Sequence, residues 1–170
     1  MNPLYLGDSF DIVKRFFCGV LRNLGYAVYI DPMFTGEWSG EDEAFGKFLD
    51  ATHILHRDPA QSRTALFFDP DTGVKATPTT AHVSFDRLAQ ALGDHAIVFA
   101  FDQSFSRNTA PREQMTQKLA EMRSRNCRGF YYDSHARFLF VSRDDDSLRE
   151  LESHLCGLGL PAFRLLRQPA

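Results

Sequence analysis

A chain of 170 residues, 44% hydrophobic and 24% charged, carries enough apolar side chains for one buried core, which excludes a disordered or collagen-like protein. Its apolar runs reach only about six residues, far below the roughly 20 that a membrane-spanning helix needs, so no membrane partner is expected. A net charge of −3 gives the whole molecule no bulk attraction to nucleic acid.

In chain order, the opening residues hold neither a basic segment nor a long apolar one and do not read as a secretory signal. Phe10, Val13, Phe17, Val20 and Leu24 recur at helical spacing. They predict a helix from Ser9 to Leu24, capped by Ser9 and ended by Gly25. Residues 26–31, rich in β-formers, read as a buried strand ending on Asp31. A loop containing Gly36, Trp38 and Gly40 follows, then a helix over 43–55 interrupted by Gly46. A strand over 64–69 runs into Asp69-Pro70-Asp71-Thr72-Gly73.

Beyond that turn, the pattern gives a short helix from Ser84 to Leu92 and a strand over 96–102. A helix from Pro111 to Arg125 has Thr109 as its expected cap. Two strands around Asp133-Ser134-His135-Ala136 form a hairpin. Ser147 and Glu150 have capping-box spacing at the start of the last helix, and residues 161–167 suggest an edge strand. Strands alternating with helices predict parallel pairing with right-handed crossovers. The expectation is a single domain over 1–170: a three-layer Rossmann-like, methyltransferase-like α/β sandwich, mostly parallel, with a C-terminal antiparallel hairpin. Cys18, Cys127 and Cys156 are widely spaced, which suits reduced thiols and a cytoplasmic location.

In an open α/β sheet, ligands bind beyond the carboxyl ends of the strands. Three strands here end on carboxylates: Asp31, Asp69-Pro70-Asp71, and Asp102 followed by Gln103. Carboxylates gathered on one rim raise one another's pKa or call for a cation. Asp8 lies beside the positive end of the first helix dipole, and Lys14 sits at the border of that helix's apolar stripe, placed to reach a carboxylate or phosphate. Asp69-Pro70-Asp71-Thr72-Gly73 also has the composition of a good turn with no chemistry at all. Between Arg107 and Arg137 seven basic residues face three acidic ones, the composition of a phosphate-binding face or of a solvated helix. His53, His56 and Asp58 have the spacing of a metal trio or of a polar helix end.

The segment Tyr5-Leu6-Gly7-Asp8-Ser9-Phe10-Asp11-Ile12-Val13-Lys14-Arg15, followed by a strand ending on Asp31 and by Asp69-Pro70, resembles the large-subunit ribosomal RNA adenine-N6 methyltransferase J family. That family has glycine, aspartate and lysine before its first helix and a D-P-P-Y motif that holds the target amine. Residues 138–155 are similar to its last core strand and helix. The same three segments also resemble a bacterial and phage-associated group with the pattern GDSFDIVKR, DPMFT, FFDPDTG.

The methyltransferase resemblance implies S-adenosylmethionine as cofactor, bound near Asp8, Lys14, Asp31 and Gly36. It implies a catalytic role for Asp69 and Asp71, and a nucleotide-type ligand or nucleic acid as partner, with Gln103 and Arg107 as substrate contacts. Two family features are absent: a glycine-rich turn after Asp31, and the strand that carries the ribose-binding acid. Asp71-Thr72 stands where the proline and aromatic residue would be, leaving base stacking to Phe34, Trp38 or Phe105.

Residues 66–71 are also similar to the h-h-h-D-x-D motif of haloacid-dehalogenase-type phosphohydrolases. That likeness implies Mg²⁺, with Asp69 attacking phosphorus and Asp71 protonating the leaving group. A Mg²⁺-dependent nuclease would draw on Asp8, Asp69, Asp71 and Lys75. A third class is a Rossmann-like domain that binds a nucleotide, nucleic acid or protein without chemistry.

Overall fold

The computed structural model describes residues 5–35 and 41–167, so Gly36, Trp38 and Gly40 lie outside the described residues. The elements run α1 (Ser9–Asn23), β1 (Ala27–Asp31), α2 (Glu41–Leu49), β2 (Thr52–His53), β3 (Thr64–Phe68), β4 (Gly73–Lys75), β5 (His82–Ser84) and α3 (Phe85–Ala91). They continue as β6 (Ile97–Phe101), α4 (Pro111–Arg123), β7 (Arg128–Tyr132), β8 (Phe138–Ser142), α5 (Asp145–Gly157) and β9 (Leu165–Arg167).

The main sheet has the order β2-β1-β3-β6-β8-β7-β9. Strands β2, β1, β3 and β6 pair in parallel. β8 inserts antiparallel between β6 and β7, and β9 pairs antiparallel with β7. Five strands therefore run one way and two the other, a mostly parallel Rossmann-like α/β sheet closed by a C-terminal antiparallel hairpin. Among the described residues, no helix is long and apolar enough to cross a membrane.

β3 and β6 are buried along their whole length because helices cover both faces, which is why their sequences are continuous apolar runs rather than alternating ones. The pleat sends Phe67 and Phe99 toward Phe17 of α1, Phe45 of α2 and Leu151 of α5. It sends Leu66, Phe68 and Val98 toward Leu88 of α3 and Met115 and Leu119 of α4. Phe67, Phe99, Phe140 and Phe130 stack in one row across four adjacent strands, with centroid spacings of 4.7, 5.3 and 4.9 Å.

Several boundaries move. Asp8, not Ser9, caps α1, its Oδ1 accepting the N–H groups of Phe10 at 2.8 Å and Asp11 at 3.0 Å. Asp144, not Ser147, caps α5. Ala110 precedes α4 with no side-chain cap, so Thr109 does not serve. The helix expected over 43–55 stops at Leu49, because Asp50 takes a left-handed conformation at φ 54°. Thr52 and His53 then pair with Tyr29 and Ile30 of β1. The turn after β3 continues into β4, which pairs in parallel with β5 as a separate two-stranded sheet.

Candidate functional site

The chain leaves β1 for β2 on one side and returns to β3 on the other. The strand order thus reverses where the carboxyl ends of β1 and β3 stand together, the position at which open α/β sheets bind ligands. Beyond Phe68, the pleat turns Asp69 toward α1. There its Oδ2 accepts a hydrogen bond from Lys14 Nζ at 2.8 Å, and the same ammonium donates to Asp11 Oδ1 at 2.7 Å. The three side chains are 5%, 1% and 2% exposed for Lys14, Asp11 and Asp69, so this is a buried ion triad rather than a surface bridge. The rings of Phe45 and Phe101 lie 5.6 and 5.2 Å from the ammonium and add cation–π attraction. Asp11 Oδ2 also accepts the N–H of Gly7 at 2.8 Å, which folds the segment before α1 over the triad.

Burial pushes the Asp69 carboxyl above its ordinary range, against the pull of the Lys14 charge. Burial would lower Lys14, but Asp69 and Asp11 outweigh it and hold the ammonium above its usual value. Lys14 therefore stays charged at neutral pH; it anchors the site and is not a base or a nucleophile there.

Over the triad opens a cavity of about 280 Å³, its walls including Tyr5, Phe10, Phe101, Asp8, Asp71 and Gln103. His135 of the hairpin stacks on the outer face of Phe10 at 5.4 Å. Asp71 is exposed and accepts a hydrogen bond from the Thr35 hydroxyl. Gln103 donates to the carbonyl of His135 at 2.6 Å.

Asp8, Lys14, Asp69, Asp71 and Gln103 thus meet in one cavity, whereas Asp31 does not join them. Asp31 is in register with Phe68, so the pleat turns it to the α3 face, opposite Asp69. Its carboxylate pairs with Arg87 and accepts the N–H of Met33 at 3.2 Å, on the border of a separate cavity of about 600 Å³. The expected common rim of strand-end carboxylates is therefore split between two faces. Arg107 is exposed in the loop after β6 and does not line the first cavity. Gly36 lies outside the described residues.

Asp102 is an internal brace. Its Oδ1 accepts from the N–H of Val74 at 3.0 Å, the N–H of Ser104 at 3.1 Å and the Ser104 hydroxyl at 2.6 Å. Its Oδ2 accepts from Lys118 Nζ and the Tyr131 hydroxyl, both at 2.7 Å. Burial lowers Lys118, with Asp102 opposing, and raises Tyr131 well above its ordinary value. Gly73 has φ +137°, and a Cβ there would stand 2.1 Å from Asp102 Oδ1. The glycine that ends the Asp69–Gly73 turn is required by this close approach as well as by its backbone angle. Sequence reasoning missed Asp11, although a carboxylate three residues before Lys14 on one helix face was a usable signal.

Among the described residues, no three His, Cys, Asp or Glu side chains gather as a metal-binding set. Lys14 already supplies the cation between Asp11 and Asp69, which leaves Asp69 and Asp71 a poor donor pair for Mg²⁺. His53 Nδ1 accepts the N–H of Leu55, and the His53 and His56 rings stand 6.2 Å apart. The residues also do not fit S-adenosylmethionine as the resemblance would place it. The second strand is present as β2 but ends on His53 and is followed by Ile54 rather than an acid, and Asp31 is committed to Arg87 and Met33. No family model, curated protein or solved structure matches this chain.

Proposed function

We propose that the protein is a Rossmann-like binding domain for a nucleotide-type ligand, and that the amine-bearing base of that ligand enters the cavity at the end of β3. One observation carries the reading: among the described residues, aromatic walls from Tyr5, Phe10 and Phe101 surround an opening lined by four carboxylates (Asp8, Asp11, Asp69, Asp71) with the Lys14 ammonium at its floor. Flat apolar walls suit a base ring, and a carboxylate at the mouth suits the N–H donors of an exocyclic amine. Asp71, partly in solvent, is the acceptor placed to meet it, while Asp69 and Lys14 fix the floor.

Support also comes from which parts of the methyltransferase resemblance meet here. Gly7-Asp8, Lys14 and Asp69-Pro70 correspond to the motifs with which that family opens its fold and holds its target amine. Of the positions that would serve the methyl donor, Asp8 caps α1, Lys14 is held by Asp11 and Asp69, and Asp31 pairs with Arg87, so the reading is recognition without methyl transfer.

Calorimetric titration tests it with adenosine and cytidine against uridine, which lacks the amine, and with S-adenosylmethionine and Mg²⁺ as separate titrants. Adenosine or cytidine is expected to bind at least tenfold tighter than uridine. Asp71→Asn should remove that preference, a loss of about 1.4 kcal/mol, with the thermal midpoint unchanged. Equal binding of all three nucleosides would overturn amine recognition. Binding of S-adenosylmethionine in place of the nucleosides would point to methyl transfer, and Mg²⁺ binding alone to phosphoryl chemistry.

A further inference from the structure

Beside the acidic cavity, across Gln103, stands a cluster of cations. Arg137 Cζ lies 4.9 Å from the Phe105 ring, and Lys118 Nζ lies 4.4 Å from the same ring. The aromatic plane thus fixes two charges. Lys118 is spent on Asp102 and Ser104, but Arg137 is not. Its Nη1 reaches Gln103 Oε1 only at 3.5 Å, its Nε stands 3.9 Å from Asp133, and Nε has no hydrogen-bond partner among the described residues. This guanidinium is oriented by stacking and held by contacts at the outer limit of useful geometry.

Lys75 adds an exposed charge at the same place. It follows Val74, whose N–H is held by Asp102 and whose carbonyl accepts from Ser104 Oγ at 2.8 Å. Val74 N–H and Lys118 Nζ share the Asp102 carboxylate, which places Lys75 one residue from the Lys118 pair. The two neighbouring regions therefore differ in sign: carboxylates in the cavity, underused cations on the ledge beyond Gln103.

We propose that Arg137, assisted by Lys75, binds a phosphate of the same ligand whose base occupies the cavity, so that the ligand class is a nucleoside phosphate, free or within a single strand. This rests on the base-binding reading above. Arg137 supplies a planar fork suited to two phosphate oxygens, and Lys75 a mobile point charge. Gln103, which lines the cavity and touches Arg137, spans the step from base to phosphate.

The test compares binding of adenosine, its 5′-monophosphate, a short adenine oligonucleotide and an abasic phosphodiester of equal length, at two salt concentrations. Wild type should bind the monophosphate at least tenfold tighter than adenosine, with the gap narrowing in high salt. Arg137→Gln should abolish the gap and leave adenosine affinity unchanged. Lys75→Gln, at an exposed position, should halve the gap or more with no change in thermal midpoint. On the oligonucleotide, each contact removed should lower the salt slope by about 0.7. Oligonucleotide binding tighter and steeper in salt than the monophosphate identifies a strand as the ligand; equal binding identifies a free nucleotide.

A gap absent from wild type, or retained in both variants, overturns the phosphate site. Abasic phosphodiester binding that Arg137→Gln destroys, with adenosine silent, keeps the ledge and removes the base reading. Silence from every ligand removes both.

Discussion

Replacing Lys14 by methionine shortens the side chain by one atom and deletes its charge, so that Asp11 and Asp69 lose the ammonium that both of them bind. All three side chains are at most 5% exposed, so the relevant scale is the buried one. Breaking a buried pair from one side costs about 3–5 kcal/mol, against about 0–1 kcal/mol for an exposed pair. For a chain of this size each kcal/mol lowers the thermal midpoint by about 2–4 °C, so Lys14→Met should fall by roughly 6–20 °C. Adding Asp69→Asn should recover part of the loss by removing one of the stranded charges.

The pH dependence has a definite sign. Asp69 is already raised by burial and loses its principal lowering partner in the variant. The folded variant therefore holds a proton that the unfolded chain releases above its ordinary 3.8, and the deficit should shrink as pH falls from neutral toward that value. In the wild type, the raised Lys14 contributes stability that is complete below 10.5 and lost as pH rises through its higher folded value. Urea unfolding followed by circular dichroism across this range measures both effects. A loss below about 1 kcal/mol at neutral pH, or a deficit indifferent to acid, would refute the buried triad.

Three further outcomes are expected. Burial, helped by the Arg57 charge, pushes His95 from 6.5 down to about 4. Its stability contribution is therefore present above 6.5 and lost as pH falls toward about 4, by at most roughly 3 kcal/mol. His95→Gln should flatten that limb of the urea midpoint curve, and an unchanged slope would count against it. Gly73→Ala places a methyl against Asp102 Oδ1 at 2.1 Å with φ +137°, and should cost more than about 2 kcal/mol in denaturant titration; a neutral result would mean that the loop and Asp102 are not in contact. Tyr131→Phe removes a 2.7 Å donor from a buried carboxylate and should cost about 1.5–3 kcal/mol, measured the same way, while Tyr132→Phe, whose residue is only partly buried, serves as the neutral control.

How much was legible follows from the range of the interactions involved. β3 and β6 announce themselves because burial on both faces leaves an unbroken apolar signature, four consecutive residues in β3 and five in β6. β2 has no such signature; its two residues are strand only because Tyr29 and Ile30 lie beside them. In the site, Lys14 and Asp69 were readable from helical projection and strand ending. Asp31 was misplaced because a strand ending says which edge a carboxylate occupies, while the face depends on its register with Phe68, a long-range fact. Asp102 looked like a candidate for chemistry since its partners, Lys118 and Tyr131, lie 16 and 29 residues further on, and nothing local marks them as its ligands.

The insertion of β8 between β6 and β7 sets an order on synthesis. Until Ser142 has left the ribosome, β6 has one completed edge, and Asp102 has no N–H bond to the carbonyl of Arg137. A chain that emerges vectorially thus carries its Asp69–Gly73 turn early but cannot finish the wall holding Phe101 and His135 until the hairpin folds back. A nascent chain arrested before that point would display an open sheet border to its neighbours, and ligand recognition would begin only once the late strand has slid home.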